Sequence, residues 1–168
     1  ITEFNDFKIY NTNHIPHMAL LETGNKGDGN NDGEYLSFYH EVLDKGFKPA
    51  PANNQDNHSL KTNSHRTVII TSSLTRAKLL EAIRLRRVYS SDDPNMKVTF
   101  RTGNYWMGST IAKPGENITF QIQVQDDETI TKIELISNGG AVIASQNFNA
   151  TSVSWNPTVL IGSRTYFY

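Results

Sequence analysis

The feature that most constrains this chain is a change of hydrophobic period near Ser90-Ser91-Asp92-Asp93-Pro94. Before it, bulky residues recur at helical spacing between short β-branched runs; after it, they recur every second residue. Ile118, Phe120, Ile122 and Val124 alternate with Thr119, Gln121, Gln123 and Gln125. That pattern belongs to a strand with one face buried and one wet, as in antiparallel sheets. Ser137-Asn138-Gly139-Gly140 stands between two apolar runs, residues 133–136 and 141–144. Positive φ is free for Gly and tolerated by Asn, so this tetrapeptide predicts a hairpin. Val153 and Trp155 begin another inward-facing pair.

The expected fold is therefore α/β over residues 1–94, followed by an all-β, immunoglobulin-like sandwich over 95–168. Such a sandwich takes about seven strands in about 100 residues. The second segment is shorter, so its last strands are expected to lie beyond Tyr168. The chain opens at Ile1 without an initiator Met and closes on Tyr166-Phe167-Tyr168 in a strand-like run. Both ends suggest a fragment of a longer protein.

Within the first segment, residues 18–22 (MALLE) read as a buried strand of a parallel sheet ending in an acidic side chain. Ligands of α/β sheets gather at such strand ends. A Gly/Asn/Asp loop over 24–33 leads to a helix, with Asp32 as its N-cap and Tyr35, Leu36, Tyr39, Val42 and Leu43 at helical spacing. Gly46 supplies the stop. Pro49 and Pro51 force an extended path. Residues 67–71 (TVIIT) form another buried strand, and a helix follows from about Thr75 with Ala77, Leu79, Leu80 and Ile83 on its covered side.

Charge excludes some functions. With 16 basic and 17 acidic residues the net charge is −1. The only basic cluster, Arg84, Arg86 and Arg87, suits a helix C-terminus, so no nucleic-acid partner is expected. No apolar run approaches the roughly 20 residues that span a bilayer, so no membrane insertion is expected. The absence of cysteine removes disulfides, thiolate metal sites and cysteine nucleophiles.

The sharpest candidate for chemistry is Asp56-Asn57-His58. In an extended backbone residues two apart project from one side, which sets a carboxylate beside an imidazole. That pair suits a divalent transition metal, although a catalytic ion needs at least one further protein ligand and an open position. The plain alternative is an Asn-rich turn with Asp56 capping the backbone and His58 in solvent. A second candidate, Asp28-Gly29-Asn30-Asn31-Asp32-Gly33, matches the first half of a calcium loop, but position twelve is Tyr39 where a bidentate Glu belongs. In the β segment Tyr105, Trp106 and Trp155 could form an aromatic platform for carbohydrate, though large aromatics in a sandwich are more often core and Trp155 reads as inward-facing. Asn117 and Asn149 open glycosylation sequons of a kind common by chance.

A resemblance adds to this reading. The order LLETGN at 20–25, LDKGF at 43–47, DNH at 56–58, RTV at 66–68, EAIR at 81–84 and RVYSSD at 87–92 resembles the C-terminal part of polymerase-and-histidinol-phosphatase (PHP) superfamily metallohydrolases. It looks closest to the carbaryl-hydrolase-like branch, whose members often carry an appended β-domain. The resemblance implies part of a distorted α/β barrel in which two or three zinc, manganese or iron ions activate water for attack on a phosphoester. Asp56 and His58 would be the last metal-ligand pair, flanking Asn57. Glu22 would support the metals from behind, with Asn25 beside it, and Arg66 or Arg87 would reach a small anionic substrate. The family's H-x-H motif and its other upstream ligands are missing, and His14, His17, His40 and His65 lack their spacing. Metal binding would thus be completed by the N-terminal part of the same protein, outside this chain, and the segment alone is expected to be inactive. The expected function is the C-terminal portion of a metal-dependent hydrolase. The alternative is a non-catalytic extracellular binding or adhesion module on a degenerate PHP-like scaffold. An exported bacterial location follows from the β segment in either case.

Overall fold

A computed structural model of the chain describes residues 7–26, 32–58, 63–112 and 115–168. They fall into two compact units, Ile1–Asp92 and Asp93–Tyr168.

In the first unit, β1 (Leu20–Lys26) lies between β2 (Asp32–Glu34) and β3 (Ala50–Asn54). β1 and β3 run parallel, with Leu20 opposite Ala50 and Asn25 opposite Asn54. β3 ends this sheet, where Pro51 can be tolerated because an end strand has one side without ladder partners. β4 (Arg66–Ile69) and β5 (Val88–Ser91) form a separate antiparallel pair, tied to β3 by a hydrogen bond from Thr67 Oγ1 to Asn53 O at 2.7 Å. β4 is half-buried along its length rather than fully buried. Among the described residues β1 and β3 make the only parallel pair, and no closed barrel is formed.

Helix α1 (Leu36–Asp44) buries Tyr39, Val42 and Leu43, as their spacing predicts. Its start differs from expectation: Asp32 is not the N-cap but belongs to β2, where it pairs with Lys26. The three-residue antiparallel return of the chain onto β1 draws Asp32 into the sheet, and Tyr35 precedes the helix with its N–H on Thr23 O. At the other end Gly46, with φ 94°, lets its own N–H reach Leu43 O and that of Phe47 reach Val42 O. These are the two bonds of a Schellman motif. Val42 packs with Phe7 and Phe47 in the core of this unit, flanked by Met18, Leu21 and Phe38.

Helix α2 (Arg76–Arg84) is capped by Thr75, whose Oγ1 accepts from Lys78 N. Its covered stripe is Leu79, Ala82 and Ile83, narrower than expected; Ala77 and Leu80 are exposed. The same two-bond motif ends this helix, but here the left-handed residue is Arg86, at φ 57°.

In the second unit, β6 (Lys97–Thr102), β7 (Tyr105–Trp106), β9 (Gln121–Ser137) and β10 (Ala141–Trp155) form an antiparallel sheet in the order β10-β9-β6-β7. β8 (Asn117–Thr119) pairs separately with β11 (Thr158–Leu160). The alternating run 118–125 is therefore one pattern divided between two sheets: at Phe120 the chain leaves β11, with its N–H on Pro157 O, and enters the larger sheet. Ile118, Phe120, Ile122 and Val124 remain buried across the change, joined in the core by Ile130 and Leu135. The hairpin falls at Asn138–Gly140, with positive φ at Gly139 and Gly140. The strands it joins are long, and the register shifts near Ala144 and on either side of Ala150. The last residues return along β9: Tyr168 exchanges two backbone hydrogen bonds with Ile136, and Ser137 Oγ donates to Tyr166 O at 2.8 Å.

Candidate functional site

The parallel pairing of β1 and β3 brings several of the sequence-predicted residues to one strand end. Glu22 on β1 accepts a hydrogen bond from Asn54 Nδ2 at 2.7 Å, and Asn25 lies opposite Asn54 in the register. The pairing continues past β3 through Asp56 N–H to Lys26 O at 3.2 Å. Asp56 Oδ1 then lies 3.5 Å from His58 Nε2, with the side chains 61% and 85% exposed. The carboxylate and imidazole face each other past the end of β3, where the chain bends at His58. Asn57 turns away from them and donates to Gln55 Oε1.

The loop behind this pair is held by polar side chains. Gln55 Nε2 donates to the carbonyls of Asn63 and His65, and Asn63 Nδ2 donates to Lys26 O. Arg66 Nη1 also donates to the carbonyls of Asn63 and His65, so its guanidinium is engaged in shaping the loop. Arg87 is placed elsewhere, at the join of α2 and β5, with backbone bonds to Ala82 and Ile70. His65 is buried and its Nδ1 has no hydrogen-bond partner, a placement its polar neighbours did not predict.

A catalytic ion of the kind the PHP resemblance implies needs three or more protein ligands. Asp56 and His58 offer two compatible donor atoms. Among the described residues, no third His, Asp or Glu converges on them within metal-ligand distance. The pair by itself does not make a complete centre. The half calcium loop cannot be placed, since 28–31 lie outside the described residues.

A carboxylate cluster that the sequence did not announce lies in the second unit, where Asp93, Asp126 and Asp127 approach within 4.8 Å of one another. Asp93 Oδ1 accepts from the N–H groups of Asn95 and Met96, and Asp127 Oδ2 accepts from Asn95 Nδ2. These bonds make the cluster a turn-capping device.

Two shallow hollows lie among the described residues of the second unit. One, of about 390 Å³, lies over the wet face of the larger sheet among Lys97, Gln123, Gln125, Ser152 and Ser154. The other, of about 440 Å³, opens between the β6–β7 turn and β8 and is lined by Asn104, Tyr105, Ile111, Asn117, Thr119 and Gln121. Gly103, at φ 52°, makes the two-residue turn that presents Asn104 and Tyr105. Tyr105 is 49% exposed, whereas Trp106 is half-buried and Trp155 packs against the core. The three aromatics therefore form no common platform, and Tyr105 alone edges the cleft. Gln121 lines it as well, and its Oε1 is buried with no hydrogen-bond partner among the described residues.

Comparison with known proteins bears on the second unit. Residues 107–166 match the family described as Bacterial Ig domain, which supports the immunoglobulin-like reading of the second unit. No curated protein and no solved structure matches the chain.

Proposed function

We propose that the protein acts as an extracellular binding or adhesion module of a bacterium, with recognition carried by its Ig-like unit. The observation that carries this reading is the family match over residues 107–166, which coincides with the continuous core from Ile118 to Leu135 and its sheet partners. Bacterial Ig domains suggest extracellular binding or adhesion. None of the described helices is long and apolar enough to cross a membrane.

A second reading keeps the metallohydrolase. It is favoured by the placement of Asp56 beside His58 just beyond the end of β3, where ligands of parallel sheets gather. In that reading the pair completes a zinc, manganese or iron centre whose other ligands come from an N-terminal part of the protein, and a small anionic ester is the substrate.

Two measurements separate these readings: cell-surface binding by the purified chain, and hydrolysis by the protein together with the N-terminal part that the second reading requires. Labelled protein is expected to bind bacterial or host cell surfaces saturably, and p-nitrophenyl phosphate with added Zn²⁺, Mn²⁺ or Fe²⁺ is expected to show no turnover. Metal-dependent turnover that disappears in Asp56→Ala and His58→Ala would overturn the binding-module reading in favour of the hydrolase. Absence of saturable surface binding would also refute it.

A further inference from the structure

We infer that the cleft between the β6–β7 turn and β8 binds a neutral saccharide; this rests on the binding-module reading and specifies its ligand. The cleft's volume of about 440 Å³ is of the size that holds small ligands, roughly 300–1,000 Å³. Among the described residues its lining contains no charged side chain, which disfavours anionic and cationic ligands alike.

Three carboxamides, Asn104, Asn117 and Gln121, converge on this one hollow. Asn104 and Asn117 are exposed, and Gln121 Oε1 has no hydrogen-bond partner among the described residues. Each carboxamide carries an acceptor and two donors on one plane, a match for adjacent hydroxyls of a sugar ring, which can donate to the oxygen and accept from the nitrogen. Gln121 supplies the second, independent pointer. Its Oε1 is buried and unpaired, a state that costs free energy unless a donor arrives. A turn of the Gln121 side chain into the cleft would offer that oxygen to a sugar hydroxyl, which is such a donor.

Tyr105 completes the chemistry. Its half-exposed ring offers an apolar face with a polar tip at the edge of the cleft, and Ile111 adds apolar surface. A pyranose has the corresponding anatomy, with C–H groups on its faces and hydroxyls around its rim. A peptide ligand is less well matched, because Tyr105 and Ile111 provide little apolar surface for its side chains beside three amides.

The test is affinity electrophoresis of the full chain through gels containing cellulose derivatives, soluble chitin, mannan or galactan, with an array of uncharged oligosaccharides and peptides alongside. Retardation by at least one neutral polysaccharide is expected. Tyr105→Ala and Gln121→Ala should each weaken it by about tenfold, as for truncation of a central anchor. Tyr105→Phe, which keeps the ring, and Lys97→Ala, in the other hollow, should leave it intact. Circular dichroism of each variant checks that the fold is retained. Retardation unchanged in Tyr105→Ala, no retardation in any gel, or binding to peptides alone would overturn the saccharide site. If the chain still binds cell surfaces in those cases, the binding-module reading survives without this cleft; if it does not, both fall.

Discussion

Arg86→Gly, compared with Arg86→Ala, tests how α2 is terminated. Arg86 holds φ 57° so that its N–H reaches Ile83 O and the next N–H reaches Ala82 O. For an L-residue the left-handed conformation costs about 1–2 kcal/mol. Glycine escapes that cost but loses more backbone entropy on folding, roughly 0.5–1 kcal/mol relative to alanine. The expected net advantage of Gly over Ala is therefore about 0.5–1 kcal/mol. Both variants lose the long 3.4 Å hydrogen bond from Arg86 Nη2 to Ile15 O and the buried, unpaired Nε, so these cancel in the comparison. For a unit of this size 1 kcal/mol moves Tm by about 4–8 °C. The assay is separable by probe: both described α-helices lie in the first unit and both tryptophans in the second. Melting at 222 nm thus follows chiefly the first unit's helices, and tryptophan fluorescence follows the second unit. A Gly variant that melts no higher than the Ala variant at 222 nm would refute a strained left-handed residue at this position.

Leu135→Ala should destabilise the second unit by about 2–5 kcal/mol, the range for deleting a fully buried leucine, read as a fall in the denaturation midpoint by tryptophan fluorescence. Burial, with the neighbouring Tyr166 adding to it, pushes the Tyr168 hydroxyl up to about 12. Because the folded state favours the neutral phenol, this contribution to stability is complete below an ordinary tyrosine value of about 10 and is lost as pH rises toward 12. Tyr168→Phe should remove the latest step of phenolate absorbance in an alkaline titration, and an unchanged curve would contradict that environment. The Lys78 ammonium, through its hydrogen bond and its charge, holds the exposed Glu81 carboxyl below its ordinary value, so Lys78→Ala should raise the Glu81 midpoint in an NMR titration. The contribution is present above the ordinary carboxylate value and fades as pH falls through the lowered one; a midpoint unmoved by the substitution would exclude the pair.

What could be read directly from the sequence was what is local. Gly139 and Gly140 carry positive φ in a turn whose flanking strands face each other from Ser137 and Ala141 outward, so four consecutive residues suffice to announce it. Thr75 and Gly46 likewise mark helix ends through bonds to residues a few positions away. Asp32 failed as an N-cap because its fate depends on β1, which competes for the same backbone through pairs such as Gly24 with Glu34. Arg86 shows the same limit from the other side: nothing in its side chain advertises a left-handed residue, and the helix geometry imposes it.

The two candidate sites differ for the same reason. Asp56 and His58 are two positions apart, so local chain geometry suffices to bring them together, but a third ligand would have to arrive from a distant element and none does among the described residues. Gln121 is the opposite case. In the alternating run it reads as one more wet-face residue beside Gln123 and Gln125, both of which are exposed. Its difference arises only because the chain changes sheets at Phe120, which sets the start of β9 beside β8 and beneath the β6–β7 turn. A periodic pattern assigns a face but not a neighbour. The buried amide oxygen is created by that crossing between sheets, so a recognition site here depends on the path of the fold through residues that share one unbroken alternation.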